Sequence, residues 1–103
     1  MKIEVLYVPG CPNYQPALDR IQKVLKSESL RADIEGIAVS TDVTAQALEF
    51  PGSPTIRVNG TDVEPNHKNA IGLACRLYAN SGGVPSEQML RVALARANQG
   101  EGA

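Results

Sequence analysis

An Asn59-Gly60 dipeptide between two β-type runs, Pro54 to Val58 and Thr61 to Val63, constrains the fold of this chain more than any other feature. Both residue types tolerate the left-handed backbone that a two-residue hairpin loop requires, so the dipeptide predicts a tight antiparallel pair. Upstream, Lys2 to Val8 is a short, mostly apolar, β-rich segment, and Ala17, Leu18, Ile21, Val24 and Leu25 then recur at helical spacing. That spacing predicts a helix from about Tyr14 to Ser27, with Asn13 at its cap and Pro16 in its first turn, where a missing N–H costs little. Leu30 to Val39 reads as a second strand interrupted by Gly36. Ser40-Thr41-Asp42 supplies cap residues for a short second helix through Ala45, Ala47 and Leu48, which stops before Pro51-Gly52. Pro85-Ser86-Glu87 opens a last helix, with Ser86 as cap and Leu90, Ala93, Leu94 and Ala97 on one face. Between them, Glu64 to Gly83 is rich in Asn and Gly and reads as an irregular excursion holding an extra helical turn or an added strand.

A βαβ crossover makes its strands parallel, whereas the Asn-Gly turn makes its strands antiparallel. The order βαβαββα therefore predicts an α/β three-layer sandwich with a mixed four-stranded sheet. The 103 residues suit one domain, expected over residues 1–98, followed by a flexible tail at 99–103. With 10 basic against 11 acidic side chains and no basic stripe, no nucleic-acid partner is expected. No apolar run approaches the ~20 residues that span a bilayer, so no membrane partner is expected either. The first apolar segment carries Glu4 and ends in Pro9-Gly10, unlike a signal peptide, and the expected location is cytoplasmic, where two cysteines stay reduced.

Cys11 falls between the first strand and the first helix, in Tyr7-Val8-Pro9-Gly10-Cys11-Pro12-Asn13-Tyr14. A thiol capping a helix N-terminus meets free backbone amides and the positive end of the helix dipole, which favour thiolate over thiol and make it nucleophilic.

The element order, a cysteine between first strand and first helix, and Ser53-Pro54-Thr55 opening the third strand together resemble the thioredoxin-like superfamily. The resemblance covers residues 2 to 64 and the closing helix. It implies a cis Ser53–Pro54 bond beside Cys11 and a substrate groove formed by Pro12, Asn13, Ser53, Pro54 and Thr55; the fold by itself does not confer thiol redox activity, which is expected from the placement of the thiol, without an organic cofactor. The chain departs from the Cys-x-x-Cys pattern: Cys11-Pro12-Asn13-Tyr14 holds a tyrosine where the resolving thiol stands, and no tryptophan precedes the cysteine. In this it is similar to small bacterial single-cysteine members, some with selenocysteine at the Cys11 position.

Cys75 is the candidate for the missing thiol. The antiparallel return of the fourth strand brings the chain after Val63 back to the sheet end from which Cys11 emerges. Cys75 then resolves a mixed disulfide if its Cα lies within ~7 Å of that of Cys11; otherwise its apolar run, Leu73-Ala74-Cys75, makes it a buried structural thiol. Tyr14 either hydrogen-bonds a thiolate or a substrate, or simply packs. Arg76 reads as a solvated edge residue and His67 as ordinary surface. Two cysteines and one histidine without zinc-type spacing predict no preformed metal site.

The expected function is thiol–disulfide exchange or peroxide-type redox sensing, with Cys11 attacking, Cys75 the candidate resolving thiol and Tyr14 the candidate assisting hydroxyl. Its partner is a protein or low-molecular-weight thiol or disulfide, and the protein is a monomer or weak homodimer. The alternatives are a non-enzymatic binding module and a protein handling soft metals such as mercury.

Overall fold

The computed structural model describes residues 1–101, in the order β1 (Lys2–Tyr7), α1 (Tyr14–Ser27), β2 (Asp33–Ala38), α2 (Asp42–Ala47), β3 (Thr55–Val58), β4 (Thr61–Asp62) and α3 (Glu87–Glu101). The four strands form one sheet in the order β2-β1-β3-β4. β1 and β2 are parallel, with Val5 opposite Gly36, while β1–β3 and β3–β4 are antiparallel. The predicted mixed α/β sheet with three helices is the observed one.

Side-chain alternation divides the core between the two faces of this sheet. Ile3 and Val5 of β1 and Ile56 and Val58 of β3 point to one face, where Ala17, Ile21 and Val24 of α1 and Leu90 and Leu94 of α3 cover them. Leu6 points to the other, where it meets Val39, Ala45 and Phe50 around α2. Arg57, also on that side, donates to the Leu48 and Glu49 carbonyls that end α2.

Asn59 and Gly60, both at positive φ, form the two-residue hairpin loop. The Asn59 side chain accepts from the Lys2 amide, tying the loop to the start of β1. Thr41 caps α2 by accepting from Thr44 N, and Ser86 caps α3 by accepting from Met89 N. Asn13 occupies the cap position of α1, but its side chain makes no cap hydrogen bond. It reaches instead toward Gly83, where an added Cβ would meet the Asn13 amide.

α3 includes residues 99 to 101 of the expected tail, and residues 102–103 lie outside the described residues. One expectation is corrected. The excursion after β4 holds neither a helical turn nor a full strand; its only strand-like features among the described residues are single bridges, Ser53 to Cys75 and Tyr78 to Gly82. Asp62 starts it, because its Oδ1 accepts from the Glu64 amide and turns the chain away from the sheet.

Candidate functional site

Cys11 ends a turn that follows β1. Its amide donates to the Val8 carbonyl at 3.0 Å, with Pro9 and Gly10 between, and Gly10 at φ +85° supplies the positive φ that the third residue of such a turn requires. The Cys11 carbonyl then accepts from Tyr14 N at 3.3 Å, so a second turn precedes the helix. Cys11 therefore stands two residues before the α1 cap, rather than at it. Pro12 and Pro16 carry no N–H, which leaves the Asn13 and Gln15 amides as donors at this helix end without an acceptor among the described residues. The thiol is free and half-buried.

Val8 links this turn to the cis Ser53–Pro54 bond, because its amide donates to Ser53 Oγ at 2.9 Å. Ser53 in turn pairs through its backbone with the excursion: its N–H donates to the Ala74 carbonyl and its carbonyl accepts from Arg76 N, each at 2.9 Å. Cys75 sits between those two contacts, bridged in parallel to Ser53, and its free thiol is exposed. It is not the buried thiol that its apolar run allowed, because alternation along the segment turns Cys75 outward and Arg76 inward. The resemblance-based groove residues thus divide. Pro12 is exposed, whereas Ser53, Pro54 and Thr55 are buried with internal partners. Thr55 Oγ1 donates to the Gly52 carbonyl and accepts from Arg76, and the Pro54 carbonyl accepts from the Tyr78 hydroxyl at 2.6 Å.

Arg76, read from sequence as a solvated edge residue, has no solvent exposure at all. Its guanidinium donates to both Asp62 oxygens at 2.7 and 2.8 Å and to Thr55 Oγ1 at 3.1 Å, and it lies 4.3 Å from the Tyr78 ring centre. Nε alone has no hydrogen-bond partner among the described residues. Burial works to lower the Arg76 pKa, but the Asp62 hydrogen bond and the Asp62 and Glu64 charges outweigh it, so the guanidinium stays charged. Burial raises the Tyr78 phenol well above its ordinary value, against the lowering effect of Arg76. His67 approaches the same carboxylate, with Nε2 3.9 Å from Asp62 Oδ2, while its Nδ1 accepts from Asn69 N. Nothing local in the sequence signals this cluster, since Arg76 and Asp62 are 14 residues apart in an aperiodic segment.

Tyr14 packs. Its ring stacks on Tyr7 at 3.8 Å between centres, and its hydroxyl lies over Gly36 of the edge strand β2. Among the described residues no three His, Cys, Asp or Glu side chains come together as a metal site, and no helix is long and apolar enough to cross a membrane. A groove of about 560 Å³ runs between the β3–β4 hairpin and the second half of α3, lined by Val58, Val63, Val92 and Ala97. Val58 ends β3 opposite Ser53, so this groove is away from both thiols.

Comparison with family models, curated proteins and solved structures finds no match to this chain.

Proposed function

We propose that this chain is a cytoplasmic thiol redox protein with a thioredoxin-like fold, in which Cys11 attacks and Cys75 resolves. One observation carries the reading: both thiol-bearing segments are hydrogen-bonded to the same buried residue, Ser53, one through Val8 and the other through Ala74 and Arg76. The cysteine between β1 and α1 and the sheet order β2-β1-β3-β4 support the fold resemblance.

The chemistry needs no group beyond the two thiols and a disulfide. The Cys11 thiolate attacks one sulfur of the substrate disulfide, forming a mixed disulfide and releasing the other half as thiolate, which takes up a proton. The Cys75 thiolate then attacks the Cys11 sulfur, releasing the second half and leaving a Cys11–Cys75 disulfide. Two protein thiols are oxidised and one substrate disulfide is reduced to two thiols. Tyr14, held by stacking, positions the first turn of α1 beneath Cys11 rather than supplying a proton.

Mass spectrometry after exposure to bis(2-hydroxyethyl) disulfide tests this. Wild type is expected to lose the mass of two hydrogen atoms with no adduct, and Cys75→Ser to stop as a mixed disulfide on Cys11. Cys11→Ser should form no intramolecular bond and lose turnover. A Cys75→Ser protein that turns over as fast as wild type removes the resolving role. A Cys11→Ser protein that retains a partner while wild type shows no exchange favours the binding module.

A further inference from the structure

Resting on the reading of Cys11 as the attacking thiol, we infer that residues 72–78 are an internal strap filling the main-chain edge beside that thiol. Cys11 then takes low-molecular-weight disulfides in preference to disulfides within extended peptides.

Extended peptides dock on a sheet edge by pairing with free backbone N–H and C=O groups, and that pairing supplies much of their affinity. At Cys11, Val8 and Ser53, the three residues that frame the thiol and the cis Ser53–Pro54 bond, those groups are already engaged. The Cys11 amide is held by Val8, the Val8 amide by Ser53 Oγ, and the Ser53 N–H and C=O by Ala74 and Arg76. Pro9, Pro12 and Pro54 offer no N–H. The segment making the Ser53 contacts is the chain's own, and it runs parallel to Ser53 as an added strand would.

The strap is anchored along its length. Gly72 N donates to the Phe50 carbonyl at 3.0 Å, and Leu73 packs against the α2-side cluster that Val8 also joins. Gly52, at φ +112°, lets the strap approach: a Cβ there would stand 3.0 Å from the Ala74 carbonyl oxygen and 3.1 Å from Arg76 Cβ. Arg76 is clamped to Asp62 and Thr55, and the Tyr78 hydroxyl to Pro54. Between these anchors the Cys75 side chain faces solvent. The strap thus blocks one kind of substrate and presents the second thiol that a small disulfide needs.

The test compares two disulfides with matched leaving groups: the dimer of N-acetylcysteine amide, and the dimer of a seven-residue unstructured peptide carrying the same cysteine centrally. First-step rate constants are measured with Cys75→Ser, which isolates attack by Cys11 and leaves the strap backbone unchanged. The peptide is expected to react more slowly than the small disulfide, whereas two new main-chain hydrogen bonds would favour it by about tenfold or more. Loosening the strap with Leu73→Ala or Arg76→Lys should raise the peptide-to-small rate ratio at least severalfold. A peptide preference with the strap intact overturns the inference while leaving the thiol chemistry standing. If neither disulfide reacts at Cys11 faster than with a free cysteine derivative, the underlying reading fails and the inference with it. Amide hydrogen exchange supplies a readout independent of turnover: Ser53 and Arg76 N–H should be protected, and exchange at open-loop rates would overturn the strap.

Discussion

Among the described residues, Arg76 is the one charged side chain that is fully buried. Its charge is held inside the protein by a two-pronged contact with Asp62, whose Oδ1 also accepts the Glu64 amide at the end of β4. Removing one partner of such a pair leaves an uncompensated interior charge, which costs about 3–5 kcal/mol, whereas replacing both with apolar groups can be nearly neutral. Asp62→Asn keeps an acceptor for Glu64 N but loses the charge. Its urea midpoint should fall by the equivalent of about 3 kcal/mol or more, and the double change Asp62→Leu/Arg76→Met should lose less than that. An Asp62→Asn protein as stable as wild type would mean that the pair is solvated in solution. The sequence could not show this, because burial of a charge depends on a partner distant along the chain.

Helix α1 shows how an element can start where the sequence says while being held by other means. Its bounds follow from the apolar repeat, yet the expected Asn13 cap bond is absent and the first turn is fastened by Tyr14 stacked on Tyr7. That stack sits over Gly36, whose interruption of the β2 pattern looked like a weakness of the strand. In the structure Gly36 is a seat: a Cβ there would run into the Tyr14 hydroxyl. Gly36→Ala should therefore destabilise by about 1–3 kcal/mol through overpacking, although alanine is otherwise the better strand residue. Thermal unfolding measures it, and Gly36→Ala combined with Tyr14→Leu should recover much of the loss. An unchanged Tm for Gly36→Ala would show that the ring is free to move aside.

Taken whole, the chain has a radius of gyration of 12.9 Å, close to the ~13 Å of a compact 100-residue domain, so the excursion is folded onto the body rather than trailing from it. Tyr78 is one of its fastenings, and burial raises its phenol pKa. An unfolded phenol loses its proton near pH 10, while the folded one retains it. Stability from this group is therefore complete below about pH 10 and declines as pH rises above it. Urea midpoints at pH 9 and pH 11 should fall more for wild type than for Tyr78→Phe; equal slopes would mean that Tyr78 reaches solvent. The sequence by itself determined the elements, the mixed sheet, the Asn59-Gly60 hairpin and the two-faced core, because hydrophobic period, turn chemistry and capping act over a few neighbouring residues. The tertiary structure alone decided that Cys75 faces outward beside Ser53, that Arg76 and Tyr78 turn inward, and that the edge next to Cys11 is already paired. Those outcomes depend on contacts between segments far apart in the chain, where no local period records which backbone group will find which partner.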